Sequence, residues 1–195
     1  MQTSTALIAL AGFAFVTSIT PGPNNLMLLA SGTNFGWRRS LPHLLGISFG
    51  FGVMLALVGL GLGQAFTHWP ALHGALQWAC LAYLLYLAYR VATSAPPADG
   101  GMPQGRPMGF TAAALFQAVN PKAWAMALTA AATYAELGVA ALTAVFVLVN
   151  LPCCGAWALL GEQMRRWLHR PRALRAFNWG AAALMLVSVL PLLRA

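Results

Sequence analysis

The sequence predicts an all-α integral membrane protein of six transmembrane helices, built as two inverted three-helix repeats, with the first and fourth helices broken by proline. Three observations carry that expectation. The 195-residue chain is 59% hydrophobic and only 7% charged, against roughly 25% charged in an ordinary soluble domain. Its mean hydropathy is +0.70. Six apolar stretches reach the roughly 20 residues that a span needs. Two of them are interrupted near the middle, one by Thr20-Pro21-Gly22-Pro23-Asn24-Asn25 and the other by Asn120-Pro121-Lys122. Open backbone and a charge are costly at that depth.

The first span is read over 5–31. The residues before it, Met1-Gln2-Thr3-Ser4, have no positive charge, so the stretch reads as a retained span and not a cleaved signal. The second span, 41–66, carries Gly46, Gly50, Gly52, Gly59, Gly61 and Gly63, which permit close helix approach. The third covers 71–91. A linker over 92–109 follows, containing Ala95-Pro96-Pro97-Ala98-Asp99-Gly100-Gly101, too rich in proline and glycine to be a folded domain. The fourth span is 110–133. The fifth, 137–161, contains Asn150-Leu151-Pro152, a gate hinge or, as the favoured reading, a simple kink. The sixth is 176–193. One transmembrane domain thus covers 1–195, with halves at 1–91 and 110–195.

Arginines set the orientation. Arg38 and Arg39 follow the first span, Arg90 and Arg106 flank the linker, and Arg165, Arg166, Arg170, Arg172 and Arg175 follow the fifth; the other side has Arg194. The arginine-rich side is expected to be cytoplasmic, including the linker, with both termini outside. The net charge of +8 is explained by these clusters, and no basic-aromatic face points to nucleic acid. Three spans per half force the halves into opposite membrane orientation. Pro21 and Pro121 then occupy equivalent spans, 100 positions apart.

Broken helices at matching places in two halves are the best sequence pointer to a transporter's substrate site. Proline lacks an N–H and clashes with the carbonyl one turn earlier, so Pro21, Pro23 and Pro121 free the carbonyls of Thr17, Ile19 and Gln117. Thr20-Pro21 and Asn120-Pro121 each read as an N-cap followed by proline at the first helical position. The new helix N-termini suit a carboxylate, and the freed carbonyls suit an ammonium, so a small zwitterion matches both. Lys122 at a span centre costs about 2.5–3.5 kcal/mol on insertion scales. It is placed to attract the carboxylate or to titrate, or, more plainly, to tether backbone carbonyls. Asn24 and Asn25 lie in the first turn after the break, for substrate contact or for interhelical hydrogen bonds. The candidate binding set is therefore Thr17, Thr20, Pro21, Gly22, Pro23, Asn24, Asn25, Gln117, Asn120, Pro121 and Lys122.

The remaining polar and aromatic residues carry less. Cys80, Cys153 and Cys154 lie in apolar stretches without ligand spacing and read as packing. Trp69, Trp157, Trp167 and Trp179 near span ends read as interfacial anchors. His43, His68, His73 and His169 are assigned nothing. Neither a metal nor a cofactor is expected. The acids Asp99, Glu136 and Glu162 all lie off the midplane. A membrane enzyme would need a nucleophile–base pair or metal cluster that no span supplies. A channel would favour repeated carbonyl or charge rings, and a non-transporting subunit would leave Lys122 unexplained.

The run Thr17-Ser18-Ile19-Thr20-Pro21-Gly22-Pro23-Asn24-Asn25, the following Gly32-Thr33-Asn34-Phe35-Gly36-Trp37-Arg38-Arg39, then Gly46-Ile47-Ser48-Phe49-Gly50 and Phe116-Gln117-Ala118-Val119-Asn120-Pro121-Lys122 resemble the LysE/RhtB-type family of bacterial amino-acid exporters. The resemblance covers the whole chain, including its length. It implies an inner-membrane exporter of amino acids or close derivatives, driven by the proton gradient, a coupling for which Lys122 and Glu162 are the only candidate groups in this sequence. Over 20–51 and at Trp157-Ala158-Leu159-Leu160-Gly161 the chain looks most like the cysteine/O-acetylserine branch, with homoserine/threonine exporters next. The implied partners are an amino-acid substrate and the lipid bilayer, with a homodimer left open.

Overall fold

The computed structural model describes residues 2–64, 70–94, 105–168 and 171–187. Among them every regular element is helical: α1 (Gln2–Ile19), α2 (Pro23–Phe35), α3 (Trp37–Gly59), α4 (Pro70–Ala92), α5 (Phe110–Phe116), α6 (Pro121–Thr133), α7 (Val139–Arg165) and α8 (Pro171–Val187). Short 3-10 turns lie at Leu62–Gln64, Gln117–Val119 and Ala135–Leu137. Trp69, His68, Asp99, His169 and Arg170, and most of the expected linker, lie outside the described residues.

Alongside an apolar core, the fold buries many polar side chains and turns large apolar ones outward. Ser18, Asn25, Ser40, Ser48, Gln117, Asn120, Asn150 and Asn178 are buried, while Ile8, Leu148 and Val53 are 74%, 69% and 62% exposed. Water would reverse that arrangement, whereas acyl chains accept it. The chain is a transmembrane protein.

By length and apolarity α3 and α7 can each cross a bilayer, and α1 with α2 makes a third span if that pair, bent by 56°, is counted as one. That count covers the described residues alone and does not reach the six expected spans. Helix α5 has 7 residues, about 10 Å of rise, before its chain tightens into a 3-10 turn. Within α4, Trp78–Ala92 is the stretch whose residues are all described, and it is apolar. Helix α8 has 17 residues, and the rest of the expected sixth span lies outside the described residues.

Helices α1 and α2 pack on α7, α5 and α6 pack on α3, and α3 meets α7 while α4 meets α8. Glycines set the closest crossings. A side chain at Gly32 would collide with the Ala158 carbonyl, and one at Gly161 with the Leu29 carbonyl, so α2 and α7 touch backbone to backbone. Thr33 Oγ1 donates to the Gly161 carbonyl at 3.0 Å across that contact. Gly46 and Gly50 similarly admit the α5 backbone at Phe110 and Ala114. Gly61 departs from the expectation for its neighbours: it sits at φ +110° with open space beside it, making a turn and not a helix contact.

Candidate functional site

The chain between α1 and α2 stops being helical at Thr20, and α2 restarts at Pro23 behind an N-cap at Gly22. Gly22, not Thr20, is therefore the cap. The Thr20 hydroxyl turns back to donate to the Thr17 carbonyl at 3.1 Å. The carbonyls left at the end of α1 are met by donors of the chain itself. Asn25 Nδ2 donates to the carbonyls of Ser18 at 2.8 Å and Thr20 at 2.7 Å. Trp157 Nε1 donates to the Ile19 carbonyl at 3.0 Å. In an apolar surrounding each such carbonyl would otherwise carry a substantial desolvation cost.

The chain between α5 and α6 passes through the 3-10 turn Gln117–Val119 and an extended Asn120, and α6 starts at Pro121. Asn120 is the N-cap, its side chain accepting from the Lys122 amide at 3.2 Å. The Gln117 carbonyl is taken by the Asn120 amide at 3.2 Å. Gln117 contributes more through its side chain. Its amide and that of Asn24 exchange two hydrogen bonds, at 2.9 and 3.2 Å, between residues 93 apart in sequence.

Lys122 joins the two interruptions. Its Nζ donates to the Thr20 carbonyl at 2.6 Å and to the Thr20 hydroxyl at 2.9 Å, and it approaches the Pro21 carbonyl at 3.5 Å. The Lys122 stem lies so close over Gly22 that an added Cβ there would stand 2.7 Å from Cδ. In this conformation the carbonyl end of α1 is held by the protein's own ammonium group.

A small cavity of about 20 Å³ lies at this junction, lined by Thr17, Gly22, Asn24, Asn25, Asn120 and Lys122, with Ser18, Phe51, Met126, Asn150 and Cys154 beside them. That volume suits a water, which needs about 10–15 Å³, and is far too small for an amino acid. Thr20 and Pro21 border it through Lys122, and Gln117 through Asn24; Pro23 and Pro121 set the first turns of α2 and α6. Eleven residues named from the sequence thus gather around one junction. The sequence reading missed Ser18, Ser48, Asn150 and Trp157. Asn150 accepts from Ser48 Oγ at 2.9 Å and from Cys154 Sγ at 3.1 Å, and donates to Ser18 Oγ at 3.2 Å. The signal available was a buried-type asparagine one turn ahead of a cysteine in α7, beside the proline that had attracted notice.

The profile of the LysE type translocator matches residues 15–195. The chain belongs to that family. A cysteine/O-acetylserine efflux protein of Escherichia coli K12 is 36% identical over 175 residues, covering 85% of this chain and 87% of the relative. Proteins with that description from Escherichia coli O139:H28 and Shigella sonnei match equally well. No solved structure matches.

In this translocator the remaining expectations divide. Trp167 and Trp179 are 87% and 64% exposed, but Trp157 is no surface anchor: it is half-buried and caps α1. Cys80, Cys153 and Cys154 are buried and free. Among the described residues no group of histidine, cysteine and acid side chains is arranged to hold a metal. Glu136 is exposed and Glu162 half-buried.

Proposed function

We propose that this translocator is a secondary active exporter of small amino acids or their derivatives across the bacterial inner membrane, with cysteine and O-acetylserine the first substrates to test and homoserine and threonine next. The observation that carries the proposal is the Lys122 bridge, by which a mid-chain ammonium ties the start of α6 to the end of α1. A substrate carboxylate arriving at this junction competes with Thr20 for Lys122 Nζ. The α2 N-terminus, which has no side-chain cap, offers N–H groups and a partial positive charge to the same carboxylate. Release of Lys122 then exposes the Thr20 and Pro21 carbonyls to the substrate ammonium. Binding and unlatching become one event, which is what alternating access requires.

The packing supports an inverted repeat. Exchanging α1, α2, α3 and α4 with α5, α6, α7 and α8 turns the α1–α7 contact into α5–α3 and α2–α7 into α6–α3, and returns α3–α7 and α4–α8 to themselves. Among the described residues α2 meets α4 and α8 more extensively than α6 does. In this reading each broken pair is one span, giving six, with both termini periplasmic. One chain holds a complete site, so a homodimer would pair two whole units. Export draws on the proton gradient, for which Lys122 and Glu162 are the groups to vary. The reading makes the chain a carrier and an antiporter, not an enzyme.

The test is transport by the purified protein in proteoliposomes with cysteine, O-acetylserine, homoserine, threonine and lysine, with and without a pH gradient. Saturable flux and counter-exchange of labelled O-acetylserine are expected. Flux that never saturates would make the chain a channel. Transport of none of the five would remove the exporter reading.

A further inference from the structure

A second, much larger cavity lies away from the Lys122 junction. It holds about 580 Å³ between α2, α3, α4 and α5, on the side of the arginine-rich segments, a volume typical of small-ligand sites. Arg90 and Arg106 stand at its rim, with Arg90 Nη1 donating to the Tyr86 hydroxyl at 2.8 Å. Met27, Ala30, Ser31 and Asn34 line it along one face of α2, at the spacing of a single helical stripe. Its wall also contains His43, which is 2% exposed and has a hydrogen-bond partner for neither ring nitrogen. Buried imidazoles without partners are costly. The other interior polar groups beside it are already paired: Ser31 with Ser40 at 2.8 Å, and Asn34 with Asn178 at 3.0 Å.

We propose that this cavity is an access vestibule in which a free amino acid is first held by its carboxylate, with Arg90 and Arg106 drawing the anion in and His43, whose ring nitrogens are closed off in this conformation, turning to donate to it, before it moves along α2 to the Lys122 junction. The proposal rests on the exporter reading. The α2 stripe gives the route its direction, since Met27 lies one turn beyond Pro23. At that depth Met27 packs with Phe116 and Tyr83, whose rings are 5.6 Å apart. This layer is the inner gate. On the far side of the junction Phe13, Phe51, Phe146 and Tyr134 form a continuous aromatic plug, with ring centroids 5.3–6.1 Å apart. The larger cavity thus lies on the arginine side of the junction and the aromatic cluster on the other.

The full chain in phosphatidylcholine proteoliposomes tests this with two variants. Ala112 is exposed and lines the cavity, and the native cysteines are buried. Ala112→Cys should react with a charged, membrane-impermeant thiol reagent from the arginine side alone, and the reaction should stop O-acetylserine transport. O-acetylserine should slow that reaction, while O-acetylethanolamine, which lacks the carboxylate, should not. His43→Leu should raise KM about tenfold with kcat kept within about twofold, and His43→Gln should recover most of the loss. Wild-type transport with Ala112→Cys labelled from the opposite side, or labelled without effect on transport, overturns the vestibule and leaves the exporter standing. Equal labelling protection by amine and amino acid, or protection by phosphatidylglycerol in the vesicle without amino acid, overturns the carboxylate assignment in favour of another occupant. Absence of wild-type transport instead removes the exporter reading. Should His43→Leu fail to insert, the Ala112→Cys result decides alone.

Discussion

Lys122 was conspicuous in the sequence because a charge inside an apolar stretch has few inexpensive fates. Its partner was not, because Thr20 lies 102 residues away and nothing local records that distance. The same separation hid Trp157, whose position near a span end suggested an interface while its indole reaches the Ile19 carbonyl 138 residues earlier. His43 gave no signal at all, since its meaning comes from the cavity it lines. Two outcomes follow at this scale. Lys122→Met removes the bridge to Thr20 and the charge that replaces it at the carboxylate, so export from proteoliposomes should fall by about 100-fold or more, with normal membrane insertion; unchanged efflux would take Lys122 out of the mechanism. The Asn24–Gln117 amide pair should appear as an energetic coupling. Asn24→Leu and Gln117→Leu, singly and together, should show an interaction of about 0.5–3 kcal/mol in detergent unfolding. Additive effects would mean that the pair does not hold the two interruptions together.

Among the helices, the all-α character was readable throughout, because apolar runs of this length and composition have no other solution in a bilayer. Boundaries were less readable. The start of α3 at Trp37, ahead of the expected 41, places Arg38 and Arg39 inside the helix, which the apolar run alone does not register. The glycines of the second span divided by what each faces: Gly46 and Gly50 meet backbone and Gly61 meets nothing, a distinction that composition does not contain. Contact with backbone makes the strongest forecast, since a carbonyl does not step aside as a side-chain tip does. Gly161→Leu should cost more than the roughly 1–3 kcal/mol of ordinary overpacking and sharply lower the yield of folded protein in detergent. Gly180→Leu is the control, because nothing lies within 4 Å of its Cβ position. Equal thermal stability of the two variants would contradict the direct α2–α7 contact.

For the molecule as a whole, large apolar side chains cover the surface while a set of asparagines, serines and Gln117 is buried among apolar clusters, so the bilayer and not water selects this fold. The half-for-half exchange of contacts adds a constraint. If α1–α7 and α5–α3 are related by a two-fold axis in the membrane plane, α1 and α5 must enter the membrane from opposite sides, and the arginines near α3, α5 and α8 must share one side. By length and apolarity the described residues give two spans, or three with the α1–α2 pair, and neither α5 with 7 residues nor α6 with 13 can cross a bilayer singly. Orientation is consequently the sharper test. A reporter enzyme active only outside the cytoplasm should be active when fused before Gln2 and inactive when fused after Arg106, while a reporter fused after Glu136 should again be active. Activity after both Arg106 and Glu136 would place the two ends of the α5–α6 pair on one side, making that pair a re-entrant loop and breaking the two-fold relation between the halves.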